Sequence, residues 1–433
     1  MSSIKVIGGS KLKGETIIQG SKNAALPIIA ATVLNQGVTI LRNCPRILDV
    51  FHMIDVLKEL GCTANWEGNT LIVDTTYISS TKVSENSVQK MRSSILFLGA
   101  LLGRTQEVSI AYPGGCSIGK RPIDYHLESI KSMNVSQEFC GENNSIIHCY
   151  TDKIKGNDIF LRFPSVGATQ NVILTAVLGE GITRIFNAAR EPEVLDLCNF
   201  LSLAGARIRG KGTAFIEIEG VKALHDVEYK LSSDRIVTGT YMAAVAVAGG
   251  DVVLRNIPVN HIESVSNVLK RIGCKIRVTD DVMKISCNKR PLPYDILKTQ
   301  PYPGFPTDMQ SQLMTVLSLA DGASTIIEEI FESRFQNAKE LNKMGANITV
   351  ENENKAVIRG VNSLQGGLVR AYDLRAGAAL VIAGLAALGT TVIRDVTCVE
   401  RGYEDICRDL RSLGASINYC SDNILACASY PMA

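Results

Sequence analysis

Hydrophobic and polar positions along the chain follow a pattern that recurs six times. Its plainest mark is a helix end followed by Gly and a small residue: Leu60-Gly61-Cys62, Ala204-Gly205-Ala206, Ile272-Gly273-Cys274, Met344-Gly345-Ala346 and Leu413-Gly414-Ala415. Met133-Asn134-Val135 is a sixth copy with Asn, the next-best residue for the left-handed position that ends a helix. Successive marks lie 73, 71, 68, 72 and 69 residues apart, so six units fill the chain.

Each unit predicts the order β-α-β-α-β-β. An extended segment comes first, as at residues 12–19, 158–163 and 367–372. An apolar helix follows, over 24–34, 93–102, 168–178, 238–248, 309–320 and 376–388. Next come a β-rich strand (38–41, 252–254 or 391–393), an amphipathic helix running to the mark (47–60 or 403–413), and two strands around a polar turn (63–73 or 346–358). The first helix of each unit is apolar nearly all round and must be buried on every side, whereas the second has a polar face. The pattern therefore predicts an α/β fold of mixed α+β character: inside-out α/β barrels with the first helices at the centre and strands outside. Six units divide into two domains of three, with a boundary near 231–234. A single long solenoid is the alternative, but nothing polar caps its ends.

Composition narrows the function more than the fold. The 433 residues are 46% hydrophobic and 20% charged, which excludes disorder. Forty-five Lys and Arg against 43 Asp and Glu leave a net charge of +2, far from the basic footprint of a nucleic-acid binder. The start, MSSIKVIGG, has no charged segment followed by a long apolar one, so no signal peptide is expected. The longest apolar stretch, 376–389, is broken by three glycines and falls short of the roughly 18 residues of a membrane span. Twelve cysteines with no C-x-x-C pair read as reduced residues of a cytoplasmic protein. Five histidines, none four residues from another, give metal chemistry little ground.

The residues ahead of the six buried helices are polar: Ser21-Lys22-Asn23, Gln89-Lys90-Met91-Arg92, Ser165-Val166-Gly167, Ser233-Asp234-Arg235, Thr307-Asp308 and Asp373-Leu374-Arg375. Helix N-termini offer N–H groups and a positive dipole end to anions. Ser165 and Thr307 read equally well as ordinary N-caps. Lys22, Arg92 and Arg375 run against the dipole, and their recurrence points to an anionic ligand. The sharpest local signal is Pro113-Gly114-Gly115-Cys116-Ser117-Ile118-Gly119-Lys120-Arg121-Pro122. Neighbouring cations lower a thiol's pKa and make Cys116 the reactive cysteine, whereas Cys44, Cys62, Cys198 and Cys274 read as small core residues. Gly114 to Lys120 is most of a P-loop, but Arg121 stands where the metal-binding Ser or Thr belongs, so a nucleotide hydrolase is disfavoured. Gly210-Lys211-Gly212 lacks the third glycine of a dinucleotide fingerprint. Asp308 follows the rigid approach Pro303-Gly304-Phe305-Pro306 and suits either a fixed base or an N-cap-like role.

At these residues the chain resembles the UDP-N-acetylglucosamine 1-carboxyvinyltransferases, in the superfamily of 5-enolpyruvylshikimate-3-phosphate (EPSP) synthase. The motifs are SKNAALP at 21–27, PGGCSIGKRPID at 113–124, SVGAT at 165–169, PGFPTDMQ at 303–310 and RGYE at 401–404, and the likeness runs over essentially the whole chain. The resemblance implies two inside-out barrels, residues 21–231 and residues 1–20 with 232–433, with the extreme N-terminal strands joining the C-terminal domain and the active site in the cleft between the domains. It implies transfer of enolpyruvyl from phosphoenolpyruvate to the 3-hydroxyl of UDP-GlcNAc, with release of phosphate, in the first committed step of peptidoglycan precursor synthesis.

Carried over residue by residue, the resemblance makes Cys116 the proton donor, Asp308 the base and Lys22 a further catalytic group. Lys22, Asn23, Cys116, Arg121, Arg375 and Arg401 would gather around phosphoenolpyruvate. Arg92, Arg121, Pro122, Ile123, Asp124, Tyr125, Ser165, Val166, Gly167, Asp308 and Ile330 would hold UDP-GlcNAc, with Glu191, Arg235 and Arg334 as weaker candidates. Closure of the Cys116 loop over bound substrate would reconcile its basic neighbours with a thiol that must donate. An epoxide such as fosfomycin is expected to alkylate Cys116. No cofactor and no metal is implied; the partners are the two small-molecule substrates, with no nucleic acid or membrane, and the protein is expected to be a monomer. One departure stands out: Phe163-Pro164 precedes SVG where some members carry a basic residue. The alternatives are an enzyme like EPSP synthase, disfavoured by Cys116, and a silent paralogue that binds UDP-GlcNAc, disfavoured by intact Lys22, Cys116, Asp308 and Arg401.

Overall fold

The computed structural model describes residues 2–113 and 122–421. The chain packs as two compact units, residues 20–113 with 122–232 and residues 2–19 with 233–421. Each unit contains three four-stranded sheets. In every sheet the first pair of strands is parallel and the other two pairs are antiparallel, which is the result of repeating one β-α-β-α-β-β unit.

In the N-terminal unit the sheets run in the spatial orders Val227–Lys230, Val38–Arg42, Thr70–Asp74, Thr63–Glu67; then Lys82–Val83, Glu107–Ala111, Ile146–Tyr150, Ser136–Cys140; then Asp158–Phe160, Ile182–Phe186, Phe215–Glu219, Arg207–Arg209. The C-terminal unit follows the same plan with Leu12–Ile17, Gly250–Arg255, Val282–Cys287, Lys275–Thr279; Ile296–Lys298, Ala323–Ile327, Lys355–Arg359, Asn347–Asn352; and Leu368–Arg370, Thr390–Arg394, Ser2–Ile7, Ser416–Ser421.

The periodicity misassigns one strand. Residues 12–17 stand first in the first repeat by count, yet they pair with the fourth, Leu12 opposite Gly250 through Ile17 opposite Arg255. Val227–Lys230 fills the vacated place beside Val38–Arg42. Each unit thereby closes on itself, because a segment from the far end of the sequence completes its first sheet and no parallel edge is left unpaired.

The buried helices are Lys22–Ala31, Leu96–Thr105 and Val166–Ala176 in the N-terminal unit, and Arg235–Ala248, Gln310–Ser318 and Leu374–Ala386 in the C-terminal unit. Their side chains are almost entirely enclosed, as apolar character all round requires. Backbones approach closely where Cβ atoms are missing: a Cβ on Gly99 or Gly103 would lie 2.5 Å from Asn171 O or 2.6 Å from Leu174 O. The six helix-end marks all take left-handed φ, from 68° at Asn134 to 114° at Gly273, so Asn134 does serve as the sixth copy.

One second helix is shorter than its pattern predicts. It spans Ile406–Ser412 instead of starting at 403, because Asp405 caps it through Arg408 N–H at 2.8 Å. The preceding stretch is held instead by the Gln19 amide, whose Nε2 donates to Gly402 O (3.1 Å) while its Oε1 accepts from Glu404 N–H (2.9 Å). No helix among the described residues is long and apolar enough to cross a membrane.

Candidate active site

In the C-terminal unit, Asp308 lies in a 3-10 turn, Thr307–Met309, that leads into the helix Gln310–Ser318. Its Oδ1 accepts from Arg334 at 2.7 Å and its Oδ2 from Arg375 at 2.8 Å. The two arginine side chains are 3% and 5% exposed, whereas that of Asp308 is 26% exposed. One carboxylate thus reaches solvent from between two enclosed guanidiniums. Burial works hardest against the Arg375 charge, but the fields of Asp308, Tyr403 and Asp234 together with the Asp308 hydrogen bond outweigh it and raise the Arg375 pKa above its ordinary value. Arg375 sits in the first turn of its helix because Asp373 caps that turn, accepting from Arg375 N–H (2.7 Å) and Ala376 N–H (2.9 Å).

Glu328, absent from the sequence candidates, organises the same turn. It is buried; its Oε2 accepts from the Thr307 hydroxyl at 3.0 Å, and its Oε1 accepts from the N–H groups of Ile330 (3.0 Å) and Phe331 (3.2 Å). Arg334 also donates to Thr307 O at 3.3 Å, with its guanidinium 5.6 Å from the Phe331 ring centroid. Arg235 lies 5.9 Å from the Tyr302 ring centroid, and Arg401 caps the short helix Thr397–Glu400.

In the N-terminal unit, Ser21 caps the helix Lys22–Ala31 through Ala24 N–H (3.3 Å), and Lys22 Nζ meets Asp49 Oδ2 at 3.1 Å. Asn23, next along the same turn, is half-buried. Ser165 caps Val166–Ala176 through Ala168 N–H (3.4 Å), which presents Val166 and Gly167 at the N-terminal end of that helix. Asp124 opens the helix Asp124–Lys131 after Pro122 and Ile123, with Tyr125 beside it. Glu191 is the N-cap residue of Pro192–Leu203.

His126, also missed from sequence, ties these pieces together. Its Nδ1 lies 2.7 Å from Asn171 Nδ2, and a Cβ on Gly167 would stand 2.9 Å from its Cε1. Asn171 Nδ2 also donates to Ile95 O at 3.0 Å, while its Oδ1 accepts from Gly99 N–H at 2.9 Å. That commits the amide nitrogen as donor and His126 Nδ1 as acceptor, so the ring is neutral with its proton on Nε2. Burial, reinforced by the charge of Arg92 and opposed by Asp124, pushes the His126 pKa down to about 4. Arg92, Asp124 and Gly167, far apart in sequence, thus share one histidine.

Cys116 and Arg121 lie outside the described residues. The ten described cysteines are free thiols. Burial pushes Cys62 up to about 11, and Cys149, Cys198 and Cys407 up to about 12, as unreactive core residues require. Cys287 runs the other way, lowered through its hydrogen bond with Cys274. Among the described residues no group of three His, Cys, Asp or Glu side chains is placed to hold a metal ion. Next to Phe163, Arg162 is turned to Glu128 at 3.2 Å, and the Phe163 carbonyl accepts from Ser165 N–H at 2.7 Å.

A family profile described as EPSP synthase (3-phosphoshikimate 1-carboxyvinyltransferase) matches residues 6–410. UDP-N-acetylglucosamine 1-carboxyvinyltransferase 2 of Caldanaerobacter subterraneus subsp. tengcongensis is 48% identical over 417 residues, covering 96% of this chain and 99% of the relative. The UDP-N-acetylglucosamine 1-carboxyvinyltransferase of Thermotoga maritima is 44% identical over 420 residues, covering 97% and 99%. The chain belongs to the UDP-N-acetylglucosamine 1-carboxyvinyltransferase family. It is therefore an enzyme, a transferase of the enolpyruvyl group. Among solved structures, the enolpyruvyl transferase NikO from Streptomyces tendae superposes with a TM-score of 0.87 at 23% identity, covering 96% of this chain and 99% of that one. EPSP synthase from Acinetobacter baumannii superposes at 0.74 and 18%, covering 97% and 100%. At those identities the likeness speaks for the fold, and it agrees with two inside-out barrels of buried helices.

Proposed function

We propose that the protein transfers the enolpyruvyl group of phosphoenolpyruvate to the 3-hydroxyl of UDP-GlcNAc and releases phosphate. The names of relatives at 44% and 48% identity over nearly the full length support this acceptor. The observation that carries the chemistry is the partly exposed Asp308 carboxylate fixed between Arg334 and Arg375.

In this reading Cys116 delivers a proton to the methylene carbon of phosphoenolpyruvate, leaving positive character on the neighbouring carbon. The sugar 3-oxygen attacks that carbon while its proton passes to Asp308. The Cys116 thiolate then takes a proton back from the new methyl group, and the double bond re-forms as phosphate departs with the proton held by Asp308, so one enolpyruvyl ether and one phosphate leave for each pair of substrates and both side chains are restored. Asp308 is a weak base between two cations; its value lies in rigid placement against a hydroxyl that becomes acidic as it attacks. Lys22, Asn23, Arg121, Arg375 and Arg401 would neutralise phosphoenolpyruvate, a small polyanion that needs several fixed cations to leave water. Arg92, Arg121, Pro122, Ile123, Asp124, Tyr125, the helix end at Ser165, Val166 and Gly167, Asp308 and Ile330 would receive UDP-GlcNAc, the helix N-terminus offering N–H groups to its diphosphate.

The test is phosphate release from phosphoenolpyruvate by the purified protein, with UDP-GlcNAc, with shikimate 3-phosphate, and with neither. Release that requires UDP-GlcNAc is expected. Release with shikimate 3-phosphate instead would move the acceptor to that of EPSP synthase, and none with either, from folded protein, would leave a silent binder.

A further inference from the structure

Three segments of the N-terminal unit carry the residues proposed for UDP-GlcNAc there. Arg92 heads the turn Arg92–Ile95, Pro122 to Tyr125 lead into the helix Asp124–Lys131, and Ser165 to Gly167 open the helix Val166–Ala176. One side chain, that of Asn171, joins all three. It stands four residues after Gly167 on the third helix, and so on the same face. Asn171 is fully enclosed, and its neighbour Gly99 is buried in the helix Leu96–Thr105 that continues from Arg92–Ile95.

A primary amide has two hydrogens and one oxygen to place, and here each has a partner. Oδ1 accepts from Gly99 N–H at 2.9 Å, one Nδ2 hydrogen goes to Ile95 O at 3.0 Å, and the other goes to His126 Nδ1 at 2.7 Å. Ile95 and Gly99 are four residues apart, so the first two bonds span one turn of the neighbouring helix. A flipped amide would not serve, because it would set Nδ2 against Gly99 N–H and Oδ1 against Ile95 O. The third bond holds the ring of His126, in the first turn of Asp124–Lys131, against the face shared by Gly167 and Asn171. Space is allotted to match: a Cβ on Gly99 would lie 2.6 Å from Asn171 Oδ1, and one on Gly167 2.9 Å from His126 Cε1.

We infer that Asn171 is a positioning residue for the acceptor site, its amide clamping the segments that carry Arg92, Pro122 to Tyr125, and Ser165 to Gly167 into one alignment. An apolar side chain of the same size would fill the space and lose the alignment, since packing alone does not fix the turn at Ile95 against the ring of His126. This rests on the proposed binding of UDP-GlcNAc by those segments, while the clamp itself is a property of the unliganded protein.

Two readouts separate the two claims. In the unliganded protein at about pH 7, 15N NMR of the His126 ring, assigned by its loss in His126→Gln, should show a neutral imidazole with Nδ1 bare and Nε2 protonated. In Asn171→Asp a carboxylate oxygen replaces the amide nitrogen, so Nδ1 should carry a proton. In Asn171→Leu, which deletes all three bonds, the ring should no longer keep to one tautomer. Calorimetric titration with UDP-GlcNAc should give a Kd about tenfold higher in both variants, the weight of roughly one or two lost hydrogen bonds. A protonated Nδ1 in the wild type would overturn the clamp. A changed His126 signal with an unchanged Kd would overturn its role in acceptor binding. No UDP-GlcNAc binding by the folded wild type would overturn the acceptor reading, and the positioning role with it, whatever the tautomer. If neither Asn171 variant folds, Gly99→Ala, which drives a Cβ against Oδ1, carries both arms.

Discussion

Four of the six repeats end their second strand alike, and two do not. Asn43, Asn187, Asn256 and Asp395 each follow that strand with φ between 55° and 60°, a left-handed step that Asn and Asp tolerate better than other side chains. In three of them the side-chain Nδ2 donates to the residue just past the first strand of the same sheet: Asn43 to Leu231 O (3.1 Å), Asn187 to Leu161 O (2.8 Å), Asn256 to Ile18 O (2.8 Å). The equivalent positions in the second and fifth repeats are Tyr112 and Glu328, neither left-handed. In the fifth repeat the tie between the two strand ends runs in the opposite sense, Glu329 N–H donating to Thr299 Oγ1 at 3.0 Å. These two repeats lead on to Cys116, outside the described residues, and to Ile330 and Arg334. The two repeats that give up this turn chemistry are the ones that lead to the proposed site.

The comparison breaks most readily at Glu328. Glu328→Ala leaves two backbone N–H groups and the Thr307 hydroxyl without their buried acceptor, and each such donor costs about 1–3 kcal/mol. We expect about 3 kcal/mol less stability by urea unfolding and about a hundredfold lower kcat, since small misplacements near reacting groups cost that much. Glu328→Asn, which installs the residue of the regular repeats, should recover part of the stability and none of the turnover. Full kcat in Glu328→Ala would show that the departure at this turn is incidental.

The second repeat departs in another way, by burying a histidine that must stay neutral. Unfolded, His126 takes a proton near pH 6.5; folded, it does so only near pH 4. Between those values the unfolded chain holds the extra proton, so stability is complete above about pH 6.5 and falls with pH at about 1.4 kcal/mol per unit. The loss saturates near pH 4 at about 3 kcal/mol. Unfolding free energies measured from pH 7 to pH 4 should show this slope in the wild type and a flatter one in His126→Gln. Equal slopes would mean that His126 is protonated in the fold, and that Asn171 does not hold it as described.

How much of this was legible in the sequence depended on distance along the chain. The repeat period, the buried helices and the left-handed marks were readable because each is set by residues within one turn or one strand. Even Asn134, the irregular copy, could be read from backbone preference alone. Leu12–Ile17 was misplaced because a strand's partner is fixed by closure of the whole unit and not by local pattern. Asp308 and Arg375 stand out individually, and Arg334 enters only as a weaker candidate of the resemblance, but the meeting of Asp308 with Arg375 joins positions 67 residues apart and no spacing rule gives it. Glu328 and His126 carry no such mark, because a lone polar residue beside an apolar run looks like a solvated one. The available signal was comparative: laying Tyr112 and Glu328 over Asn43, Asn187 and Asn256 marks the two odd repeats without any structure.

The smallest effect sharpens the regular side of the comparison. Asn187 does two things at once: it occupies φ 57° and donates to Leu161 O at 2.8 Å. Asn187→Gly keeps the backbone conformation at no steric cost and loses only the side-chain bond, for an expected loss of about 1 kcal/mol. Asn187→Ala loses the bond and also forces a Cβ into the left-handed region, adding about 1 kcal/mol more. Neither change touches the site residues, so kcat per folded molecule should hold while the urea midpoint falls in the order wild type, Gly, Ala. If Ala and Gly were equally destabilising, the backbone conformation would carry no cost, and the recurrence of Asn would owe everything to its amide.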